Sequence, residues 1–380
     1  MHEHKQNQCK RKVKHRKNVM RLIIFCITVG IVFMFIYYQN LRKEISARQK
    51  WLETVLTGEK KWILENQGPE GEIYMNGSKA GDVNPYFACM AALGLLAETK
   101  NCPITETEKK AVGRYLDWHT GILLETDGKM GIYRKESGKL IYKEKADSED
   151  GYLGMYLFLM GKYLEKTEST DLPEYWKKGI SLALKKIQSL MQDGITQVSE
   201  ENTTVYLMDN LEVWKGLYEL EHAGLKDVQA IREMRNKLQA QIEKLFWDDA
   251  NQRWRIIENS DLYHQKEFYP DGVAQIYPLI YEFPVKEKKK QKILYKQFTE
   301  RFQWQKLTKK RNGFLWAMTG MAAAQMGDIN NLLEMIRNYE AEYCENRKYP
   351  LYTGEAGWIC MECEKLYSLY ERKIKTGFLV

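Results

Sequence analysis

Twelve amphipathic helical stretches follow one another from residue 44 to residue 374, and the connections between them are alternately short and long. A short connection makes two helices antiparallel neighbours. Six such hairpins, with all long connections on one side, predict an all-α (α/α)6 barrel. The predicted stretches are 44–65, 84–99, 106–121, 150–166, 172–192, 209–223, 226–246, 270–281, 286–303, 313–326, 328–342 and 354–374.

The even-numbered helices are predicted to form the inner ring of this barrel. The stretches NPYFACMAALGLLAE, GYLGMYLFLMGKYL and NGFLWAMTGMAAAQMG are apolar nearly all round, as buried helices are. Strand signals are weak, and IYMNG and KLIYKEK are expected to form at most short hairpin arms. No Pro/Gly/Ser-rich linker divides residues 42–380, so this region is expected to be one domain.

An uncharged apolar segment, LIIFCITVGIVFMFIYY, occupies residues 22–38 and is long enough for a membrane-spanning helix. Residues 1–21 contain eight Lys or Arg and one acidic residue, which accounts for the whole net charge of +7. The positive-inside rule therefore predicts a single-pass protein of the cell membrane with a cytoplasmic N-terminus and an extracellular domain. A cleaved signal peptide is the alternative, but no small-residue cleavage site follows the segment.

The charge and motif content exclude several functional classes. Residues 22–380 are electrically neutral, whereas a nucleic-acid-binding domain is usually basic over its folded part. No phosphate-binding or dinucleotide-binding glycine motif is present, so no cofactor is expected. The pair Cys360 and Cys363 lacks a second pair, and no metal site is expected. These two cysteines lie in an apparent helix and are interpreted as structural, with a disulfide or redox role as the alternative.

Acids and aromatic residues recur where the long connections enter the inner helices. We call this end of the barrel the entry rim. Helix N-termini stabilise carboxylates, and aromatic faces stack on sugar rings. The residues expected to line a polysaccharide-binding cleft at the entry rim are Asp82, Asn84, Tyr86, Asp147, Asp150, Tyr152, Asp271, Trp316 and Trp358, beside two candidate catalytic residues, Glu72 and Asp209.

A purely structural role is the competing interpretation for three of these acids. Asp150, Asp209 and Asp271 stand at predicted helix starts, where Asp is a favoured N-cap. Taken singly, each is better explained by capping than by catalysis, but the recurrence of acids with aromatic residues at several inner-helix starts favours a functional role. Glu72 lies in a loop between Gly71 and Ile73 and has no evident capping function. A pair of carboxyl groups, one protonated and one ionised, is what a glycoside hydrolase needs.

At these residues the chain resembles the family 8 glycoside hydrolases, and most of all the membrane-anchored branch found with bacterial exopolysaccharide synthesis. The resemblance rests on GEIYM…NPYFACMAALGLL, ADSEDGYLGMYLFLMGKYL, YLMDNLEVWKGL and FYPDGVAQIYP. It implies an (α/α)6 barrel and an inverting mechanism. It assigns Glu72 as the general acid, with Asp82 and Glu70 as rivals, and Asp209 as the general base. Asp147 and Asp150 would bind substrate.

The predicted function is therefore hydrolysis of a β-linked extracellular polysaccharide by a membrane-anchored enzyme. For an inverting mechanism, the two carboxyl groups should lie about 6.5–9.5 Å apart. The expected partners are the polysaccharide, the lipid bilayer through residues 22–38, and a polysaccharide synthase complex. DVNPY replaces the family's usual Ser-Glu-Gly-Gln-Gly-Tyr string, which motivates the alternative of an inactive glycan-binding subunit of a synthesis or export system. A polysaccharide lyase on the same fold is a more distant alternative.

Overall fold

The computed structural model describes residues 2–77, 81–136, 139–169, 172–258, 260, 267–307, 311 and 313–376, except for the side chains of residues 2–19, 22 and 376. The chain divides into two compact units. One comprises Met1–Trp51 and Tyr370–Val380, and the other comprises Leu52–Leu369.

Within the described residues the protein forms twelve α-helices and little β-structure, so the all-α prediction is confirmed. The helices are α1 (His2–Glu65), α2 (Pro85–Leu95), α3 (Glu106–Glu125), α4 (Glu149–Thr167), α5 (Glu174–Leu190), α6 (Leu207–His222), α7 (Gln229–Phe246), α8 (Val273–Ile280), α9 (Lys288–Phe302), α10 (Thr319–Met326), α11 (Ile329–Tyr339) and α12 (Thr353–Thr376).

The even-numbered helices form the inner ring of an (α/α)6 barrel, as the hydrophobic pattern predicts. Small residues let these helices approach closely. A Cβ atom on Gly154 of α4 would lie 2.7 Å from the backbone nitrogen of Val213 on α6. The first and last inner helices meet in the same way, because a Cβ atom on Gly94 would lie 2.4 Å from Gly357 Cα. This contact between α2 and α12 closes the ring.

The N-terminal helix α1 contains the basic tail, the apolar segment and the first predicted helical stretch without a break. Its part from Ile23 to Glu65 is long and apolar enough to cross a membrane, with a mean hydropathy of 1.8 in its most apolar window. The large apolar side chains in this segment are exposed, including Phe25, Phe33 and Phe35. A signal sequence near the N-terminus can also meet these criteria of helix length and apolar composition.

The strands are short and lie in the connections between helices. Strands β1 (Asp82–Val83), β2 (Gly131–Glu136) and β3 (Lys139–Lys145) form one antiparallel sheet in that order. Two small hairpins consist of β4 (Met191–Gln192) with β5 (Ile195–Thr196), and β6 (Trp247–Asp248) with β7 (Arg253–Trp254). The prediction for KLIYKEK is confirmed, since it is β3, but its partner is GIYRKE. The predicted arm IYMNG contributes only an isolated bridge between Ile73 and Gln67.

Charged side chains meet inside the barrel where the inner helices end, opposite the entry rim. They surround a cavity of ≈ 200 Å³. Lys215 Nζ lies 2.8 Å from Glu219 and 2.9 Å from Glu282, and Lys365 Nζ lies 2.6 Å from Glu282. Lys166 bonds Glu98 at 2.7 Å in the same region. We call this group the basal ion network. Lys166 lies in the last turn of α4, where a positive charge also interacts favourably with the helix dipole.

Candidate active site

Two neighbouring inner helices bring four carboxyl groups together at the entry rim. The start of α4 supplies Asp147 and Asp150, and the first turns of α6 supply Asp209 and Glu212. Asp209 and Glu212 are three residues apart on a helix, so their side chains lie on the same face. These four residues are called the acid cluster below. Their negative charges act on one another, since Asp147, Asp150 and Glu212 all raise the pKa of Asp209.

Glu212 is buried and lies in a cage of tyrosine hydroxyl groups. Tyr277 donates to Glu212 Oε1 at 2.6 Å and Tyr281 donates at 3.3 Å, while Tyr86 donates to the same oxygen. Burial raises the pKa of Glu212 to about 7, although the Tyr277 and Tyr86 hydroxyls oppose this shift. Among the described residues, no hydrogen bond is made to Oε2. One oxygen is therefore fixed in place while the other is left for water or a ligand.

Asp150 has hydrogen bonds to both oxygens. Ser148 Oγ and the Gly151 amide donate to Oδ1 at 2.8 and 3.0 Å, and Thr196 Oγ1 donates to Oδ2 at 2.7 Å. Burial raises its pKa to about 6 in spite of these donors. The N-cap of α4 is Ser148 rather than Asp150. Three hydrogen bonds therefore hold the Asp150 carboxyl group in place within the acid cluster.

Asp209 is the half-buried member of the acid cluster. Burial, together with the charges of Asp150 and Glu212, raises the pKa of Asp209 well above its usual value. The N-cap of α6 is Tyr206, and no side chain caps this helix end. Capping therefore does not explain Asp209. A carboxyl group that keeps its proton near neutral pH is suited to donate one, which differs from the base role that the sequence assigned to Asp209.

Aromatic side chains form a wall beside the acid cluster. The rings of Tyr269 and Trp316 lie 4.7 Å apart, and Phe314 lies 6.1 Å from Trp316. Phe87 stacks on Phe314 with an interplanar angle of 16°. Tyr269 is 39% exposed, and partial burial together with the charges of Asp209 and Glu212 raises its pKa to about 12. The wall is connected to the acid cluster through Tyr86, whose hydroxyl donates to Glu212 and whose ring lies 5.5 Å from that of Phe87.

Asn84, Tyr86 and Tyr152 also lie at this site, on the side of α2. Asn84 caps α2 by accepting a hydrogen bond from the Tyr86 amide at 2.9 Å. The rings of Tyr86 and Tyr152 lie 5.5 Å apart. Burial, together with the charges of Asp147 and Glu212, raises the pKa of Tyr152. The structure therefore brings these three predicted residues together with the acid cluster.

Glu72 has a different set of partners. It is buried, it accepts hydrogen bonds from the Tyr74 hydroxyl at 2.8 Å and the Glu70 amide at 3.0 Å, and it lies 3.7 Å from Lys135 Nζ. Among the described residues, none of these partners belongs to the acid cluster.

Asp82 forms ion pairs with Arg134 at 2.6 Å and Lys143 at 2.7 Å, and the Arg134 hydrogen bond lowers its pKa. An ionised Asp82 is poorly suited to act as a general acid.

Asp271 and Trp358 lie inside the protein. Asp271 is buried just before α8, which no side chain caps. Trp358 is buried too, and its indole N–H lies 3.1 Å from Met90 Sδ. The Trp358 ring packs 6.1 Å from Tyr281, one of the tyrosines that hold Glu212. Trp358 therefore packs behind Tyr281, inside the barrel, and its buried ring presents no face to a sugar.

Glu212, Tyr277 and Tyr281 were not among the site residues predicted from the sequence. The available signal was spacing, because Glu212 follows Asp209 by three residues and Tyr281 follows Tyr277 by four, so each pair shares a helix face.

Among the described residues, no three His, Cys, Asp or Glu side chains could hold a metal ion. Cys360 and Cys363 are both free and buried, and burial raises both thiol pKa values.

Comparison with known proteins supports the fold. No protein-family model and no curated protein matches the chain. Among solved structures, a wild-type glycosidase matches with a TM-score of 0.60 and 11% identity, over 85% of this chain and 99% of that one. An α-amylase from Clostridium perfringens matches with a TM-score of 0.52 and 13% identity, over 83% and 97%. A GH76 α-mannanase from Bacteroides thetaiotaomicron matches with a TM-score of 0.50 and 11% identity, over 85% and 97%.

Proposed function

We propose that this protein is a membrane-anchored glycoside hydrolase that cleaves a β-linked extracellular polysaccharide by general acid/base catalysis. One observation carries the proposal. Asp209 and Glu212 lie one turn apart on α6, both with raised pKa values, beside an aromatic wall that can stack on sugar rings. The resemblance to family 8 and its membrane-anchored branch, and the glycosidase fold of the structural neighbours, agree with it.

The environments of the two carboxyl groups suggest their roles. Burial and the neighbouring charges raise the pKa of Asp209, which favours its protonated form, and we assign it the donation of a proton to the leaving glycosidic oxygen. Glu212 ionises more readily, because tyrosine hydroxyls stabilise its charge. Its free Oε2 accepts a proton from the attacking water. Asp150 keeps the pKa of Asp209 high.

The assignment from the sequence, Glu72 as acid and Asp209 as base, is the second proposal for the same reaction. It requires Glu72 to reach the glycosidic oxygen from its position beside Tyr74. The two assignments predict different variants to be inactive, since Glu212 is dispensable in the second and Glu72 in the first. Asp209 is essential in both.

The anchoring proposal rests on the apolar part of α1. Residues 22–38 would cross the bilayer, with the basic residues 1–21 in the cytoplasm and residues 42–380 outside the cell. Basic side chains beside the membrane are also attracted to anionic lipid headgroups. A polysaccharide synthase complex in the same membrane would be the source of the substrate.

The test measures release of reducing ends by the full-length chain in detergent micelles. The substrates are bacterial exopolysaccharides, β-glucans and β-mannans, with starch and yeast α-mannan as α-linked controls. Asp209→Asn should reduce the rate by about 10²-fold or more, and so should Glu212→Gln but not Glu72→Gln. Glu300→Gln, on the exposed surface of α9, is the matched control. Cleavage of only the α-linked controls would contradict the proposed linkage.

The alternative proposal is a glycan-binding subunit without catalytic activity. One observation favours it, since Asp150 and Glu212 are only 0% and 3% exposed. In that case the wild-type chain binds a polysaccharide from the panel but releases no reducing ends. Turnover that both Asp209→Asn and Glu212→Gln abolish would reject this alternative.

A further inference from the structure

A strained backbone conformation occurs in the aromatic wall. Trp316 has a φ angle of +59°, in the left-handed region that side chains other than glycine rarely adopt. For a non-glycine residue this conformation is unfavourable, because Cβ comes too close to the following carbonyl oxygen. Trp316 therefore needs surrounding contacts that hold it there.

The carboxylate of Glu355, at the start of α12, provides such contacts. Its Oε1 accepts hydrogen bonds from the Leu315 and Trp316 amides, both at 3.1 Å, and its Oε2 accepts one from the Ala317 amide at 2.8 Å. The side chain is 5% exposed. Three successive backbone N–H groups therefore converge on one buried carboxylate, and both of its oxygens are in use. Charge-assisted hydrogen bonds of this kind are stronger than neutral ones.

The indole ring of Trp316 is positioned by this segment. Its N–H donates to the Arg311 carbonyl oxygen at 2.9 Å. Its ring packs 4.7 Å from Tyr269 and 5.6 Å from Phe268. Phe314 lies 6.1 Å from Trp316 and 5.4 Å from Phe87, and the ring of Phe87 lies 5.5 Å from that of Tyr86, which donates to Glu212. The Trp316–Tyr269 pair therefore lies on the same side of the barrel as the acid cluster. A change of φ at Trp316 would move the ring away from Tyr269.

We infer that Glu355 is a positioning residue that holds Trp316 against Tyr269 and so forms the binding surface for a sugar ring next to the acid cluster. This inference rests on the proposed function. Glu355 does not react with substrate, because the backbone amides occupy both of its oxygens. Its substitution should weaken substrate binding and leave the chemical step largely unchanged.

The first test compares kinetic constants of the full-length chain in detergent, on the polysaccharide that the wild type hydrolyses. Glu355→Gln replaces one acceptor oxygen with an N–H₂ group, which cannot accept a hydrogen bond from the Ala317 amide. The expected result is a KM at least tenfold higher with kcat within about threefold, whereas Glu300→Gln changes neither. A lowered kcat with unchanged KM, or no change in either, would overturn the inference.

The second test asks whether Glu355 acts through Trp316. In a Trp316→Ala background, Glu355→Gln should change KM by less than twofold, because the ring that Glu355 positions is already missing. A tenfold effect in both backgrounds would show that Glu355 acts on substrate by another route. Circular dichroism of each variant checks that the barrel is folded.

Two further measurements keep the inference separate from the proposed function. The tryptophan fluorescence lost in Trp316→Phe defines the emission of Trp316, and Glu355→Gln should shift that component to longer wavelength whether or not any glycan is cleaved. If Glu355→Gln does not fold, Trp316→Gly and Trp316→Ala are compared. Glycine tolerates the left-handed conformation, so Trp316→Gly should have the higher Tm. An unshifted emission, or the reverse order of Tm, would overturn the inference.

Discussion

The buried carboxylate of Glu212 should make the stability of the protein fall as pH rises from 5 to 8. Its pKa is about 7 in the folded protein against an ordinary value of 4.5, because burial penalises the ionised form. Between these values the unfolded chain has already released the proton that the folded chain retains. The free energy of unfolding therefore decreases with pH over this window and becomes level above pH 7.

The size of the effect follows from the shift. Each pKa unit corresponds to about 1.4 kcal/mol, so Glu212 should lower the free energy of unfolding by about 2.5 kcal/mol between pH 5 and pH 8. Glu212→Gln retains an acceptor oxygen for the tyrosines but has no proton to lose. It also removes one of the charges that raise the pKa of Asp209, which changes the pH dependence in the same direction.

The assay is urea unfolding of the full-length chain in detergent at several pH values, followed by tryptophan fluorescence. The stability of wild type relative to Glu212→Gln should decrease by about 2.5 kcal/mol from pH 5 to pH 8. Wild type relative to Glu300→Gln should show no such trend. The contrary result is a difference in the free energy of unfolding between wild type and Glu212→Gln that stays the same, changing by less than about 0.5 kcal/mol from pH 5 to pH 8. That result would refute the assignment of a raised pKa to the buried Glu212 carboxyl group.

Three further predictions concern other parts of the barrel. Tyr277→Phe removes a donor to Glu212 and should raise the acidic limb of the pH–rate profile by about one pKa unit, so that activity falls about tenfold at pH 6 and little at pH 9; an equal loss at both pH values would contradict this. Lys215→Met removes the lysine nearest to buried Glu219 and one of the two lysines on Glu282, and should destabilise the protein by about 3 kcal/mol in urea unfolding; a neutral result would contradict the basal ion network. Asp82→Asn breaks half-exposed ion pairs and should change stability by less than about 1 kcal/mol and kcat by less than about threefold; a hundredfold loss of kcat would make Asp82 the general acid.

The sequence predicted the helices well because their apolar faces repeat with the helical period. The predicted stretch 286–303 is Lys288–Phe302 in the structure, and 226–246 is Gln229–Phe246. The start of α10 was predicted at residue 313 and lies at Thr319. The preceding segment is not helical because Glu355, far along the chain, binds its amides. Local periodicity does not reveal such a distant partner.

The site was predicted only in part for the same physical reason. Asp209 and Asp150 were identifiable because acids at the starts of inner helices are visible in the sequence. The importance of Glu212 depends on tyrosines from α2 and α8, which only the closed ring brings together. The sequence pattern also did not show which strand pairs with KLIYKEK. In the structure its partner is GIYRKE, in an antiparallel register.

The filled interior of the barrel limits how a long polymer can meet this protein. Below Glu212 the axis is occupied by Tyr281 and Trp358, and farther on by the basal ion network. Under the proposed function, a polysaccharide strand could not thread through the ring, and both new chain ends would leave by the opening through which the strand came. The proposed hydrolase would therefore engage its substrate from one side only, at the entry rim.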